Sequence, residues 1–327
     1  MLSRYADVHQ RPQGPGDARP TGLQIVQDEQ LEGKWTDKAV WITGCSSSLG
    51  VETARAMAAT GARLYLTARD LAEAREALGP LAECERVQLV ELDLDSLDSV
   101  QECAERFLAS ADPKLNVLIC NAGVTSCPEG RTADGFETQF GTNHLAHFLL
   151  INCLTEALIK SSTRKFASRV IIVSAAAHRW GSVHFDNLNL ENGAYTPDAA
   201  YSQSKTANVW TANELERWYG EMGVLHAWSV QPGVMATDLS KMAAAMAAHA
   251  QLAKTLKSAE QAAATTTWAA TAAALEGSGG KYLEDCQIIG AWDESVGMWA
   301  PGYAAHAYSP EDEAKLWDVS LKLTGLA

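Results

Sequence analysis

The sequence predicts an α/β fold: a single Rossmann-type, doubly wound parallel β-sheet flanked by helices, with a helical substrate lid. Three observations predict it. Short apolar runs alternate with helical patterns from about residue 38 to residue 231. A glycine-punctuated turn, TGCSSSLG at Thr43–Gly50, joins the first strand to the first helix. Tyr201 and Lys205 stand four apart in a later helical stretch, downstream of that turn and of an Asn-Ala-Gly turn at Asn121–Gly123.

The elements follow in order. Residues 1–33 are polar and rich in Pro and Gly, which predicts a flexible arm, with LQIVQ at 23–27 able to pack on the body. Residues 34–327 form the folded domain. Lys38–Thr43 is a buried strand, and Leu49–Thr60 a helix ended by Gly61. A second strand is expected at Ala62–Thr67, a helix at Asp70–Gly79 and a third strand at Val87–Leu92. The next helix starts at a Ser96 N-cap. Leu115–Cys120 is the fourth strand, and a long helix is expected from Asp134 to Lys160. Arg169–Ser174 is the fifth strand, Tyr201 lies on the following helix, and Val224–Gln231 is the sixth strand. Cys286–Ile289 is the candidate seventh. The Ala-rich stretch Met235–Leu275 is helix-forming, and its first part, about 235–257, follows the sixth strand where a lid over a ligand would lie.

Composition bounds the function. The chain has 327 residues, 47% hydrophobic, enough for one large domain with a substantial core. A formal net charge of −14 argues against nucleic acid or an anionic membrane as partner. Seven scattered cysteines without a C-x-x-C pair point to a reducing compartment. With no basic-then-apolar leader and no apolar run of membrane-spanning length, the expectation is a soluble cytoplasmic protein.

The Tyr201–Lys205 spacing puts both side chains on one helix face. An ammonium beside a phenol favours the phenolate, so the tyrosine should exchange protons with a carbonyl or alcohol oxygen. The turn holding Gly44, Ser48, Leu49 and Gly50 offers backbone N–H groups and a helix N-terminus to a pyrophosphate. The second strand ends in Thr67-Ala68-Arg69 rather than an acidic residue. Arginine there suits the 2′-phosphate of NADP, unless it merely pairs with Asp70. Asp93 would lie near the adenine, Asn121 would line the cofactor, and Val234 with Thr237, after Pro232-Gly233, would embrace the nicotinamide amide. His144 and His147 read as packing residues, while His178 and His184 flank the substrate side and could titrate near neutral pH.

Together these motifs resemble the short-chain dehydrogenase/reductase family over about residues 35–325. FGTNHLAHF at Phe140–Phe148, the insertion from His178 to Leu188, and YSQSKTAN at Tyr201–Asn208 resemble retinol-dehydrogenase-like and WW-domain-oxidoreductase-like members. No WW domain is expected among the residues ahead of Trp35. KYLEDC at 281–286 and the PGYAAHAYSPEDEAKLW tail resemble fungal relatives. The resemblance implies a catalytic tetrad: Asn143 holding a relay water, Tyr201 as general acid/base, Lys205 on the nicotinamide ribose, and a serine. Two departures stand out. Ser174 aligns with the first of the usual two serines and Ala175 with the catalytic second, so Ser174 serves only if the chain bends there. Ser48 replaces a central glycine of the turn. The expected activity is NADP-dependent reduction of a carbonyl, or oxidation of the alcohol, on a small apolar or polyketide-like secondary metabolite. The alternative is an NADP-binding protein with degraded redox chemistry. The resemblance also implies a possible homo-oligomer pairing through the helices of Asn143 and Tyr201.

Overall fold

Apolar runs rich in Val, Ile and Leu and bounded by Gly, Ser and Asn build an eight-stranded sheet in this computed structural model, which describes residues 4–235, 250–297 and 300–327. The strands are β1 (Ala39–Thr43), β2 (Arg63–Ala68), β3 (Val87–Glu91), β4 (Val117–Cys120), β5 (Ser168–Val173), β6 (Leu225–Gln231), β7 (Lys281–Glu284) and β8 (Gln287–Ile288). Their order is β3-β2-β1-β4-β5-β6-β7-β8. Pairing is parallel throughout except for β8, which runs antiparallel to β7. The winding reverses between β1 and β4, and the crevice at the carboxyl ends beside that reversal is where such sheets bind ligands.

The described helices are α1 (Ala6–His9), α2 (Gly22–Asp28), α3 (Ser48–Ala59), α4 (Leu71–Leu78), α5 (Leu97–Leu108), α6 (Thr138–Phe140), α7 (Ala146–Ser161), α8 (Pro197–Tyr219), α9 (Ala250–Thr255), α10 (Ala259–Thr271) and α11 (Pro310–Leu323). Side-chain caps start many of them, among them Ser47 on Gly50, Asp70 on Ala72 and Glu73, Ser96 on Ser99, and Thr196 on Ala199. Each satisfies a backbone N–H that the first turn leaves unpaired. Successive strand residues face opposite sides. Val40 and Ile42 join Ile25, Met57 and Trp268 in one core, while Ala39 and Trp41 join Phe107, Phe148 and Leu215 in another. Helices cover both faces, which explains why the strands read as unbroken apolar runs. Among the described residues no helix is long and apolar enough to cross a membrane. None of the seven cysteines forms a disulfide.

Three expectations are corrected. The N-terminal segment, read as a loose arm that only LQIVQ at 23–27 could pin to the body, is helical in part and docked more widely. Ile25 and Val26 of α2 are fully buried against α3 and α10. Gly22 allows that approach, since a Cβ there would meet Ala56 Cβ and Thr267 Oγ1 at 3.0 Å. Arg19, also buried, donates to the carbonyls of Thr255 (2.7 Å), Leu256 (2.5 Å) and Gly14 (3.1 Å). The parallel seventh strand is Lys281–Glu284 rather than Cys286–Ile289, whose residues turn back as the short β8. The long helix begins at Thr138 rather than Asp134, and a π-turn at Gly141–Leu145 interrupts it. Most of the expected lid, residues 236–249, lies outside the described residues; α9 follows it.

Candidate active site

Every predicted site residue that the structure describes lies on the carboxyl side of the sheet. Gly44 follows β1, Arg69 follows β2, Asp93 lies just past β3, Asn121 follows β4, Ser174 follows β5 and Val234 lies just past β6. Thr237 lies outside the described residues. Tyr201 and Lys205 reach the same edge from α8.

The glycine turn is built by its own packing. Gly44 takes φ +77°, and a Cβ there would press to 2.8 Å from Ala122 Cα. At Gly50 a Cβ would strike Gly44 O at 2.1 Å, so neither position accepts a side chain. Ser47 caps α3 and donates to Gly44 O at 2.9 Å. Ser48 is the exposed first residue of α3, so the missing third glycine costs the protein's own packing nothing. Leu49 is buried behind the turn, against Ala262 and Ala263 of α10.

Asn121 and Thr43 lock β4 to β1. Thr43 Oγ1 accepts from the backbone of Asn121 (2.9 Å) and Ala122 (3.0 Å), and Asn121 Nδ2 donates to Thr43 O at 2.9 Å. With both acceptor positions filled, the Thr43 hydroxyl proton goes to His147 Nε2, 2.9 Å away. His147 Nδ1 then donates to the Asn143 carbonyl at 3.0 Å. Burial, with the Lys205 charge acting the same way, pushes the His147 imidazole down to about 4, so it stays neutral in that one tautomer. His144 is likewise buried, against Ser320 Oγ at 2.9 Å, and burial pushes it down to about 3.

Asn143 sits in the π-turn, a feature that gathers at functional sites. Its amide clamps Val124 from both sides, accepting from N at 2.8 Å and donating to O at 2.9 Å, and also donates to Ser204 Oγ at 3.0 Å. Its side chain is therefore engaged, and a relay water would use the remaining lone pair of its carbonyl. Lys205 is buried and donates to Val173 O at 3.0 Å, with the ammonium 5.5 Å from the Tyr201 ring centre. Gly123 closes over both: a Cβ there would meet Asn143 Oδ1 at 3.1 Å and Lys205 Nζ at 3.4 Å. Burial pushes the Lys205 ammonium down to about 8.

Ser174 does not turn toward this cleft. Its backbone continues the β5–β6 ladder, donating to Val230 O at 2.8 Å, and its buried hydroxyl donates to the Lys205 carbonyl at 2.8 Å. The chain does not bulge, and Ser174 ties α8 to β5. His178 is also committed. Its Nδ1 donates to Ala175 O (2.7 Å), its Nε2 accepts from Ala304 N (3.0 Å), and burial pushes it down to about 4. The expectation that it titrates near neutral pH is corrected by that burial.

The residues present suit a dinucleotide. Asn121 Oδ1 is buried at the switch point and has no hydrogen-bond partner among the described residues. Among the described residues Lys205 Nζ has one acceptor, leaving donors for ribose hydroxyls. Arg69 is exposed and makes no ion pair among the described residues, while Asp70 caps α4. Sequence reasoning missed the Thr43–His147–Asn143 chain; the i, i+4 spacing of Asn143 and His147 was the signal that could have found it.

Comparison with known proteins points one way. The short chain dehydrogenase family model matches residues 38–248. The chain is 46% identical to short-chain dehydrogenase/reductase prx1 of Penicillium roqueforti, across 99% of this chain and 96% of that protein. It is 38% identical to oxidoreductase calI of Penicillium decumbens (99% and 98% covered) and 36% to human retinol dehydrogenase 12 (88% and 87%). Among solved structures, an uncharacterised protein of Mycobacterium paratuberculosis superposes with TM-score 0.68 at 30% identity, covering 95% of this chain and 98% of that one. The RhlG/NADP complex of Pseudomonas aeruginosa shares the fold, with TM-score 0.60 at 21% identity over 76% and 94% of the two chains. With the glycine turn, the Asn-Ala-Gly turn and the Tyr201–Lys205 pair in register on this sheet, the chain belongs to the short-chain dehydrogenase/reductase family of oxidoreductases.

Proposed function

We propose that the chain is an NADPH-dependent oxidoreductase that reduces a carbonyl, or oxidises the corresponding alcohol, on a small apolar metabolite. The observation that carries this is the buried Lys205 ammonium one helical turn from Tyr201, beside Gly123 and Asn143 at the switch point. When bound, the cofactor supplies or accepts a hydride. Gly44, Ser48, Leu49 and Gly50 cradle the pyrophosphate, Asp93 and Asn121 flank the adenosine side, and Arg69 holds the 2′-phosphate. Lys205 holds the nicotinamide ribose, and Val234 with Thr237 faces the nicotinamide.

Tyr201 gives its phenolic proton to the substrate oxygen and recovers it through the Lys205–Asn143 side of the site. Lys205 stays charged near neutral pH and favours the phenolate that this transfer leaves behind. Ser174 is a positioning residue that fixes the turn of α8 carrying Lys205. Ala175 supplies no hydroxyl to the developing oxyanion, so Tyr201 carries that stabilisation, at a cost of about 10²–10³ in rate against a serine-bearing site.

A fluorescence titration with NADPH and NADH side by side tests the reading. NADPH should bind more tightly, and Arg69→Ala should abolish the preference. Equal binding of both cofactors would remove the 2′-phosphate assignment, and binding of neither would remove the function.

A further inference from the structure

The docked N-terminus and the β7–β8 hairpin converge on one buried lysine under the turn after β6. Lys257 grips that turn at both ends. Its backbone N–H donates to Val234 O at 2.9 Å, and its ammonium donates to Pro232 O at 3.2 Å. Between them Gly233 takes φ +101°, and a Cβ there would come to 2.7 Å from Lys257 Cδ. The lysine stem therefore lies flat on the glycine. Met235 and Lys257 also form a parallel bridge, which fixes the start and the end of the 235–257 stretch against each other.

The ammonium is itself aimed. Asp285 Oδ1 accepts from it at 2.8 Å. Asp285 and Cys286 join β7 to β8 as a two-residue loop, both at φ 54°. That left-handed pair matches the type I′ hairpin, where Asn-Gly is the preferred occupant. An aspartate and a cysteine there accept backbone strain. In return the carboxylate points back into the body. His9 Nδ1 of α1 lies 3.1 Å from the same oxygen and forms a wall of the pocket. Lys257 and the His9 side chain are almost wholly buried, which excludes competing water.

We propose that Lys257 is a positioning residue for the nicotinamide half of the cofactor site, with Asp285 setting its direction and the N-terminal helix closing the pocket behind it. The inference rests on the nicotinamide reading of Pro232-Gly233-Val234. It adds that residues far from the cofactor motifs decide how rigidly that turn presents itself. A brace of this kind acts on one half of the ligand only.

The test uses the full chain, the nicotinamide cofactor it binds more tightly, and the matching fragment without nicotinamide (2′-phospho-ADP-ribose or ADP-ribose). Lys257→Met keeps the stem over Gly233 and removes the ammonium. Asp285→Asn tolerates the left-handed turn and removes the charge. Each variant should weaken the whole cofactor, Lys257→Met by about ten-fold, while fragment affinity stays unchanged. Parallel weakening of cofactor and fragment would mean a general structural role and would overturn the proposal, as would unchanged cofactor affinity in both variants. Should Lys257→Met fail to fold, Asp285→Asn decides alone. If the wild-type protein bound neither cofactor, the nicotinamide reading would fall first and this inference with it. Wild-type binding with insensitive variants removes the inference only.

Discussion

Lys205 carries a conflict between stability and function. Burial pushes its ammonium from the ordinary lysine value of 10.5 down to about 8, so at neutral pH the folded chain holds a charge it would shed more readily than the unfolded chain. That difference corresponds to roughly 3 kcal/mol. Between pH 8 and 10.5 the unfolded chain binds more protons than the folded one at this site, so its contribution to stability rises with pH across that window. Val173 O keeps a second donor, Asn208 Nδ2 at 3.1 Å, so deleting the ammonium does not orphan it. Lys205→Met should therefore melt higher than wild type at neutral pH and lose turnover. Its thermal advantage should shrink as pH rises through 8 toward 10.5. A lower melting temperature at neutral pH would show that the ammonium stabilises the fold and that burial is not its dominant energy. The positions of Gly44, Asn121, Tyr201 and Lys205 at the carboxyl edge were legible because each residue type is demanded locally, by a turn or by one helical step. The commitment of Ser174 to the Lys205 carbonyl was not, because strand alternation says which face a side chain takes but not which acceptor it finds there.

At the level of elements, the alternation of strands and helices was legible because both sheet faces are covered and the strands run apolar throughout. The misreadings had specific causes. The β7–β8 hairpin turns on Asp285-Cys286, and nothing in that pair announces a left-handed loop. Pro and Gly in residues 1–33 read as loop, yet Arg19 is fixed by carbonyls at 255 and 256 and Gln261 reaches back to Asp17 and Arg19. Partners more than 200 positions apart leave no local trace. The one local signal was the apolar LQIVQ at 23–27, in which Ile25 is fully buried. Ile25→Ala should cost about 3 kcal/mol, because the fully buried side chain fills the α2–α3–α10 junction. Chemical denaturation measures this, and a loss below about 1 kcal/mol would return the segment to a loosely attached arm.

For the whole molecule, the sheet gathers residues from Gly44 to Val234 onto one edge, and the rest of the chain supports that edge. α11 lies across α7 and α8, with Trp317 edge-on to Phe148 at 4.9 Å and Glu313 accepting from Asn213 at 2.7 Å. It therefore covers part of the surface of α7 and α8, the helices through which the sequence resemblance implied pairing. The chain should run as a monomer in size-exclusion chromatography with light scattering, and a stable dimer whose interface maps to α7 and α8 would contradict that. Tyr201→Phe is compared with wild type for NADPH affinity and for carbonyl-dependent NADPH oxidation across a panel of aldehydes and ketones. Turnover should fall by roughly 10²–10⁴ while NADPH affinity stays nearly unchanged. Undiminished turnover in the variant would show that another group moves the proton, and the assignment of Tyr201 would be wrong.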